Sequence, residues 1–394
     1  MKKVLLSIFS LFMGVAAFAQ PITADSLYLG QTPPGTTPKV FPLQLVAGSF
    51  AAERIAITND GKTIFYHELD GYSEMDGKPH TQRIKQYNYT NGKWSQPVVL
   101  FEGFGMPALS ITGDTLYCQK VGEDKMVQAY FSVKDGFEWS DPKRFLLNIA
   151  YAHYYQATNS GNHYISSAVS NGIGRIDRCR LLINGTDTTA IGLGRPINAF
   201  KYNLDYYVAL DESFMVTSNR GKLGVSYPKA DGSWTNPKLF GPEINFGLGA
   251  WGTYVTSDNK YLFYTSGTKE DYSDTYVRWV RIDKLVDSLR HTNNAPYLKV
   301  AVASQECSVG KPFSYTIPEG TFFDDDANTT FSYSATLADG SVFPSWLSFN
   351  PVTRSFAGTP LEAGSFSVSI VATDQANAFA TATFTINATG NTSK

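Results

Sequence analysis

The sequence predicts an all-β chain with two folded parts, a ring of repeated antiparallel sheets followed by a sandwich of two sheets. Two observations carry this prediction. Between residues 46 and 291, two short motifs alternate with a period of roughly 40–50 residues, the period of β-propeller blades. After residue 292 small residues become common, and inward-facing and outward-facing side chains alternate with a period of two, as in 365–372, which is typical of strands with one buried face.

The first 19 residues have the three parts of a signal peptide. Lys2 and Lys3 are positively charged, residues 4–17 are mostly apolar, and Ala17 and Ala19 form a small-x-small cleavage site. The apolar run is shorter than the ~20 residues that span a bilayer, and no later segment approaches that length. We therefore predict a mature chain without a transmembrane segment, exported to the periplasm, the extracellular space or the cell surface.

Residues 20–45 are rich in Pro, Gly and Thr and are predicted to be an extended lead-in. Each repeat of residues 46–291 then has a polar turn before an aromatic strand, as in Thr58-Asn-Asp-Gly-Lys-Thr-Ile-Phe-Tyr66, and a Gly-Trp turn, as in Asn91-Gly-Lys-Trp-Ser-Gln-Pro97. Such turns supply positive φ for tight hairpins, and the Trp is large enough to fill the gap between blades. The copies predict about five blades, with six left open, near 50–98, 104–147, 150–194, 197–243 and 247–290.

The charge balance argues against one class of partner. The formal net charge is −2, and the acidic excess lies after residue 292, where eight Asp and Glu face four Lys and Arg. No basic stripe of the kind that nucleic acid requires is present. The sequence therefore predicts no nucleic-acid partner, and it makes cations relevant to the C-terminal part.

The repeats carry a family resemblance. The opening run Tyr28-Leu-Gly-Gln-Thr-Pro-Pro-Gly-Thr-Thr-Pro38, followed by Val40-Phe-Pro42 and the Asp-Gly-Lys and Trp-x-x-Pro motifs, resembles exported WD40-like (PD40, TolB-like) bacterial propellers, especially those of Bacteroidetes-type bacteria. The resemblance covers most of residues 25–290. It implies a β-propeller, in a class that includes binding scaffolds, envelope proteins and polysaccharide-active enzymes.

A short helix is predicted over 282–290 and a sandwich over 292–390. The most specific motifs of the sandwich are Pro344-Ser-Trp-Leu-Ser-Phe349 and Phe356-Ala-Gly-Thr-Pro360. Together with an Asn-Ala-Pro at 294–296 and the acidic run at 323–326, they resemble a dystroglycan-type, cadherin-like domain with an Ig-like fold. Trp346 and Phe349 are expected in its core.

The same resemblance implies calcium, because cadherin-like domains are credited with binding Ca²⁺ at domain junctions, and Ca²⁺ takes six to eight oxygen ligands. The matching oxygens are those of Glu319, Asp324, Asp325, Asp326 and Asp374. The linker has two Asn, at 293 and 294, where the usual cadherin linker has Asp partners. The alternative is an acidic surface loop without a metal.

A ligand site on the propeller face is predicted from aromatic side chains, which stack on the faces of sugars. Aromatic residues make up 14% of the chain and are dense in the third to fifth predicted blades. The candidate ligand-binding residues are Tyr154, Tyr155, Tyr206 and Trp251. Core packing is the alternative interpretation of the same residues.

No catalytic motif stands out in the sequence. The five His have no metal-ligand spacing, and neither a Gly-x-Ser-x-Gly elbow nor a phosphate-binding loop is present. A glycoside hydrolase needs two carboxylates about 5–10 Å apart. The candidates are Glu53, Glu68, Asp70, Asp211 and Glu212, which spacing alone does not pair.

The leading prediction is an exported, non-enzymatic binding or adhesion protein at the cell envelope, with a glycan or protein ligand on the propeller face. One alternative is a polysaccharide-active enzyme, a hydrolase or lyase, with carboxylates in the propeller channel. Another is a structural envelope component. The three Cys are far apart in sequence, so one disulfide and three buried thiols both stay open.

Overall fold

The computed structural model describes residues 27–71, 80–136, 138–168, 174–185, 187–270 and 273–390. The predicted signal peptide lies outside these residues. Within them the regular secondary structure is almost entirely β-strand, with a 3₁₀ turn at Tyr28–Gly30 and a helix α1 at Asp283–Arg290. The all-β prediction and the short helix predicted over 282–290 are therefore confirmed.

The strands of residues 39–281 form five antiparallel sheets within the described part of the chain, here called sheets I to V. Strand β1 (Lys39–Val40) comes first in the chain and belongs to sheet V. Sheet I contains β2 (Phe50–Ile57), β3 (Thr63–Leu69), β4 (Gln82–Thr90), β5 (Lys93–Trp94) and β6 (Val98–Glu102). Sheet II contains β7 (Gly105–Leu109), β8 (Thr115–Val121), β9 (Val127–Asp135), β10 (Glu138–Trp139) and β11 (Lys143–Arg144).

The other three sheets follow in the same way. Sheet III contains β12 (His153–Ala157), β13 (His163–Ala168), β14 (Ile176–Asn184) and β15 (Asp187–Gly192). Sheet IV contains β16 (Tyr206–Val208), β17 (Met215–Asn219), β18 (Lys222–Ser226) and β19 (Lys238–Leu239). Sheet V contains β20 (Gly249–Val255), β21 (Tyr261–Gly267) and β22 (Tyr276–Arg281), together with β1.

The first strands of the five sheets lie side by side around one axis. Strand β2 contacts β7, β7 contacts β12, β12 contacts β16, β16 contacts β20, and β20 returns to β2. A ring of antiparallel sheets of this kind is a β-propeller. The sheets begin close to the positions that the repeat predicts, with the largest difference in sheet IV. We call the face at which the first strands begin the upper face, and the opposite one the lower face.

The segment predicted as a lead-in closes the ring. Strand β1 pairs with β22, with Lys39 opposite Trp279. Phe41 is 2% exposed and packs edge-on against Phe263 and Trp279. Residues 20–26 of the predicted lead-in lie outside the described residues, and β1 belongs to sheet V although it precedes the predicted boundary at residue 46, because β22 takes its outer partner from this segment.

The Trp of the repeated turn motif packs between neighbouring sheets, as its size predicts. Trp139 of sheet II meets Phe65 of sheet I edge-on, with ring centroids 5.6 Å apart. Trp234 is 4% exposed and belongs to a cluster that contains Tyr164 of sheet III and Met215 of sheet IV. Each sheet therefore buries its apolar surface against the next one, which is what holds a ring of small sheets together.

The C-terminal residues form a β-sandwich. Its four-stranded sheet contains β24 (Gln305–Ser308), β31 (Phe379–Thr389), β30 (Gly364–Thr373) and β27 (Ser332–Leu337), in that order, with β24 parallel to β31. Its three-stranded sheet contains β25 (Phe313–Thr316), β29 (Ser355–Gly358) and β28 (Leu347–Asn350). A short pair of β23 (Tyr297–Leu298) and β26 (Phe322–Phe323) lies beside them.

The specific motifs of the sandwich supply its core. Trp346 is 8% exposed and Phe356 is fully buried. Phe349 is half-buried, with its ring centroid 4.6 Å from that of Phe356. Gly358 is required because a Cβ there would lie 1.6 Å from the carbonyl oxygen of Trp346. The Trp and the Gly of the motif therefore depend on each other.

The three cysteines are free thiols. Cys118 and Cys179 are buried in the propeller, and Cys307 is half-buried in the sandwich. Of the two possibilities left open by the sequence, the structure has the unpaired one.

Candidate functional site

The first strands of four sheets bulge where they pass the axis of the propeller. The register shifts in β2, β7, β12 and β20. Glu53, Met106, Tyr154 and Gly252 lie at these bulges with φ between 51° and 64°. A bulge re-aims the side chain that it carries. Gly252 is required at its position, because a Cβ there would lie 2.4 Å from the backbone of Glu53.

Arg54 spans the axis and is 1% exposed. Its Nη2 donates to the carbonyl oxygen of Tyr206 at 2.6 Å, and its Nε donates to that of Thr253 at 3.2 Å. Its Nη1 lies 3.5 and 3.4 Å from the carbonyl oxygens of Tyr154 and Tyr155. One side chain of sheet I therefore ties sheets III, IV and V together at the centre of the ring.

Two carboxylates flank Tyr154 near the axis. The Tyr154 hydroxyl donates to the carboxylate of Glu53, and Asp205 accepts a backbone N–H of sheet V at 2.9 Å. Burial, together with the charges of Asp205 and Glu53, raises the pKa of Tyr154 well above its usual value, so this residue stays a donor. Burial, with help from Arg54, lowers the pKa of His153 to about 3, so its ring is neutral.

At the lower end, the axis narrows to a cavity of about 30 Å³. Its lining includes Arg54, Gln156, Tyr207 and Tyr254. A cavity of this size has room for about one water molecule. A sugar or peptide therefore does not reach the central residues through this cavity.

Three of the four aromatic residues predicted to bind a ligand are packing residues. Tyr154 and Tyr206 are 2% and 1% exposed, and the Tyr206 hydroxyl donates to the carbonyl of Tyr154 at 2.8 Å. Tyr155 is 8% exposed, with its hydroxyl 2.7 Å from Nδ1 of His163. The structure therefore does not bring the four predicted residues to one platform, and core packing accounts for these three rings.

Trp251, the fourth predicted residue, borders a groove on the upper face between sheets IV and V. The groove has a volume of about 230 Å³ and is lined by Arg220, Gly221, Leu248, Gly249, Trp251, Gly267 and Lys269. The indole is half-buried, and a Cβ on Gly249 would lie 3.9 Å from its ring. Tyr155 also borders a groove, of about 430 Å³ between sheets II and III, but it is 8% exposed, so Trp251 is the least buried of the four predicted aromatic residues.

Backbone approach explains the glycines of the groove floor. A Cβ on Gly221 would lie 2.9 Å from the Cα of Gly249, and a Cβ on Gly247 would lie 2.3 Å from the carbonyl oxygen of Gly267. The backbone N–H of Ala250 donates to the carbonyl of Gly221 at 2.9 Å across the two sheets. The floor of the groove is therefore bare backbone.

Two cations frame the groove. Arg220 and Lys269 are exposed, and neither forms an ion pair with a carboxylate among the described residues. The Arg220 guanidinium carbon lies 4.7 Å from the ring centroid of Phe200. Asp274 lies nearby, but its oxygens accept hydrogen bonds from the Thr268 hydroxyl and from the backbone N–H groups of Thr268 and Lys269, which lower its pKa to about 2.

The other candidate carboxylates each have a structural partner. Glu68 is buried and paired with Lys85 at 3.0 Å and with Arg83 at 3.3 Å. The remaining three carboxylates accept hydrogen bonds from nearby groups: Asp70 from Thr81, Asp211 from Ser213 and Asn259, and Glu212 from Thr158, Ser160 and Asn162. Of the five candidates only Glu53 lies near the axis, together with Asp205, which was not a candidate.

The sequence analysis missed Arg54, Asp205, Arg220 and Lys269. The repeat could have identified the first two, because each polar turn lies at a fixed position in its blade. The residues four positions before the start of each turn (Thr58, Ser110, Thr158, Ala209 and Thr256) are Arg54, Met106, Tyr154, Asp205 and Gly252. No local signal marks Arg220 or Lys269.

Among the predicted calcium ligands, Asp325 joins the two domains. Its Oδ1 lies 3.0 Å from Nζ of Lys229, and its Oδ2 accepts the backbone N–H of Asn236 at 2.7 Å. Both partners belong to the segment between β18 and β19 of the propeller. Asn236 also donates to the carbonyl of Ala295 at 2.9 Å. Asp325 is therefore occupied by these two partners, and Glu319 is exposed.

Two of the other three aspartates hold the interdomain linker. Asp326 accepts the backbone N–H of Asn294 at 2.8 Å, and Asp374 accepts Nδ2 of Asn293 at 2.9 Å. Asp324 is 8% exposed, and its Oδ2 and the Oδ1 of Asn294 are buried without a hydrogen-bond partner among the described residues. Burial, together with the charges of the neighbouring aspartates, raises the pKa of Asp324.

These oxygens match the ligand chemistry of Ca²⁺, but they do not form a complete coordination site in the structure. Within the described part of the chain, no three His, Cys, Asp or Glu side chains are grouped so as to hold a metal ion. The unpartnered Asp324 and Asn294 oxygens still identify the place where a cation would satisfy buried polar groups.

Comparison with known proteins supports the C-terminal assignment. Residues 295–389 match the model of the family described as "Putative Ig domain". The "Serine-rich adhesin for platelets" of Staphylococcus aureus strain N315 is 37% identical over 93 residues, which is 24% of this chain and 4% of the adhesin. The corresponding protein of strain MRSA252 gives the same identity over 6% of its length. The C-terminal part of the chain is therefore an Ig-like domain.

Solved structures similar to the chain include two bacterial proteins. TolB of Acinetobacter baumannii is 14% identical, with 58% of this chain and 54% of that chain covered, at a TM-score of 0.39. The periplasmic gluconolactonase of Pseudomonas aeruginosa is 11% identical, with 83% of each chain covered, at a TM-score of 0.35. Both scores lie below 0.5, and the propeller assignment rests on the order of the sheets themselves.

Among the residues that the structure describes, no helix has the length and apolar character needed to cross a membrane.

Proposed function

We propose that this chain is an exported, non-enzymatic binding protein of the cell envelope or cell surface, built from a five-bladed propeller and an Ig-like domain. Its ligand, a glycan or a protein, lies in the groove beside Trp251 on the upper face. The observation that carries the proposal is this groove, where an aromatic ring, two cations and bare backbone line an open surface. The Ig-like domain, whose relatives include an adhesin, supports a role in binding.

The remainder of the molecule supports a rigid scaffold. Arg54 holds the axis, and the Asp325–Lys229 pair fixes the Ig-like domain against sheet IV. A rigid scaffold keeps the groove preformed, which lowers the entropic cost of binding.

The proposal is tested with fluorescently labelled mature protein on bacterial and host cells. We expect saturable binding that Trp251→Ala abolishes and that the control Tyr202→Ala, at an exposed aromatic residue outside the groove, preserves. Pretreatment of the cells with periodate or with trypsin tells a glycan ligand from a protein ligand. Binding that is equal for both variants would place the ligand elsewhere, and no binding to any cell would contradict the proposal.

We also propose a calcium site at the domain junction, centred on the buried oxygens Asp324 Oδ2 and Asn294 Oδ1. Asp326 and Asp374 are its further ligands, and Ca²⁺ would have to draw them closer, because no three acidic side chains of the described residues are grouped for a metal ion. Glu319 and Asp325 are left out, the first because it is exposed, the second because Lys229 neutralises it. The support is the unpartnered Asp324 Oδ2, which a cation would satisfy, and the mutual repulsion of the three carboxylates, which a cation would relieve.

The variant Asp324→Asn tests the calcium proposal through the melting temperature, which should change differently without and with Ca²⁺. In EDTA the variant removes a repelled charge, so the melting temperature of the Ig-like domain should rise. In Ca²⁺ the wild type should gain stability by mass action, whereas the variant should gain little. A wild type whose melting temperature is the same in EDTA and Ca²⁺ would overturn the calcium proposal. Asp339→Asn, in an exposed turn of the same domain, is the control.

A second candidate function is a polysaccharide-active enzyme. One observation favours it: Glu53 and Asp205 lie close enough to Tyr154 that both raise its pKa. Against it, Glu53 is buried and bonded to Tyr154. A reducing-sugar assay and an unsaturated-uronate assay across a polysaccharide panel test this function. Turnover that Asp205→Asn abolishes would establish it in place of simple binding.

A further inference from the structure

We infer that the groove between sheets IV and V is selective for anionic carbohydrate, meaning a sugar chain that carries carboxylate or sulfate groups. This inference rests on the proposed binding function and adds the chemical class of the ligand. It uses side chains that the sequence did not single out, and it excludes the neutral glycans that an aromatic platform alone would accept.

The electrostatics of the groove carry the inference. Arg220 and Lys269 line its two sides, and within the described part of the chain the lining contains no carboxylate and neither cation has a carboxylate oxygen within 4.0 Å. Asp274 of the same loop lies beside the groove, with its Oδ1 3.0 Å from where a Cβ on the lining residue Gly267 would be. This carboxylate accepts the backbone N–H groups of Thr268 and Lys269, and the charge of Lys269 helps to lower its pKa, so Arg220 is the cation of the groove that no described acid offsets. Glu270, the next exposed acid, follows Lys269 in the turn and is not part of the lining.

The cations of the surrounding surface are placed over aromatic rings. Arg220 lies over Phe200 at 4.7 Å, and Arg278 lies over Phe246 at 4.6 Å while its Nε donates to Ser266 at 3.0 Å. A guanidinium that packs on a ring is oriented, and its edge remains free to donate to an oxyanion. The upper face beside the groove thus has oriented positive charge although the propeller as a whole is neutral.

The remaining lining suits a sugar better than an acidic peptide. The Trp251 ring is a flat apolar surface, and the glycine floor offers backbone groups without side chains. A sugar ring has an apolar face for the indole and hydroxyls for the backbone. At about 230 Å³ the groove is smaller than the roughly 300–1,000 Å³ of pockets that enclose whole drug-sized ligands, so it suits one unit of a longer chain.

The experiment is titration calorimetry of the full mature chain with four defined probes: an alginate hexasaccharide, dextran sulfate, unmodified dextran and poly-L-glutamate. We expect alginate or dextran sulfate to bind, with affinity that falls as NaCl rises because the contacts are charged. Arg220→Gln and Lys269→Gln should each weaken binding about tenfold or more, since each removes a charged hydrogen bond. Arg144→Gln and Lys93→Gln remove exposed cations of sheets II and I and should leave the affinity unchanged.

The outcomes separate the inference from the proposed function. Binding of dextran with the same affinity as dextran sulfate, or equal losses in the groove and control variants, would overturn anion selectivity. Preferential binding of poly-L-glutamate would replace the sugar by an acidic peptide. Failure of all four probes would overturn the inference, and in that case Trp251-dependent binding to cells would still support the proposed function. Trp251→Phe, which keeps an aromatic ring, should retain part of the affinity if the fold is intact.

Discussion

Arg54 is the side chain on which the propeller axis depends most, and its replacement gives a quantitative test. We predict that Arg54→Met destabilises the propeller by about 3–5 kcal/mol. The guanidinium makes two short bonds, to the carbonyl oxygens of Tyr206 at 2.6 Å and of Thr253 at 3.2 Å. Hydrogen bonds of a charged group contribute about 1.5–3 kcal/mol each, and a buried acceptor left alone costs a similar amount.

Two effects keep the expected loss at this moderate size. The contacts of Nη1 at 3.4–3.5 Å add little, because hydrogen bonds weaken steeply with distance. Met also relieves the protein of a buried charge, which offsets part of the loss. Met is the replacement of choice, since its flexible side chain fills most of the vacated volume and limits the cavity.

The measurement is urea unfolding followed by tryptophan fluorescence. Five of the six Trp belong to the propeller, so the signal reports mainly on the ring. With a slope of about 3 kcal/mol per molar urea, the predicted loss shifts the midpoint by about 1 M or more. Arg144→Met, at an exposed arginine of β11, is the matched control and should shift it little. A loss below about 1 kcal/mol for Arg54→Met would refute the assignment of Arg54 as the axial tie.

Three further predictions follow from buried groups. Burial lowers the pKa of His67 to about 4, so below pH 6.5 the unfolded state binds a proton that the folded state does not. The free energy of unfolding should therefore fall by up to about 3 kcal/mol between pH 6.5 and 4. If His67→Gln loses as much stability over this pH range as the wild type, this prediction is wrong. Asp325→Asn should weaken the domain junction by about 1–3 kcal/mol, seen in calorimetry as separation of the two unfolding transitions; a single unchanged transition would be the opposite result. Burial raises the pKa of Cys118 and Cys179 to about 12, so Cys307 alone should react with a thiol reagent in the native protein, and labelling of all three would argue for an open ring.

The order of sheets was predictable because each blade repeats a local signal. A polar turn such as the one from Thr58 to Tyr66 needs only its own residues to form, so its position in the sequence marks a hairpin. The Pro-x-Trp-Leu-x-Phe motif of the sandwich is equally local, and Trp346 lies where the motif predicts. The two-residue strand β1 was not predicted, because a strand of that length has no period to detect.

The candidate site was predictable only in part, because its interactions join residues far apart in sequence. The density of Tyr in the third to fifth blades suggested a ligand platform, but Arg54, about 100–150 residues away from these Tyr, draws Tyr154 and Tyr206 into the axis. In the same way, Lys229 engages Asp325 from 96 residues away and removes it from the predicted calcium ligands. Whether an aromatic residue can contact a ligand depends on its exposure, and that exposure is determined only when the five sheets have closed into a ring.

The pairing of β1 with β22 sets an order on the assembly of the molecule. Residues 39–40 leave the ribosome first, and their partners at 278–279 come about 240 residues later. Until then β1 has no partner, and if it does not dock after β22 has formed, the edge of β22 is open to pairing with another chain. A recombinant protein that begins at residue 46 lacks β1, so the edge of β22 would stay uncovered. We expect this shorter protein to aggregate and a protein that begins before residue 28 to stay monomeric.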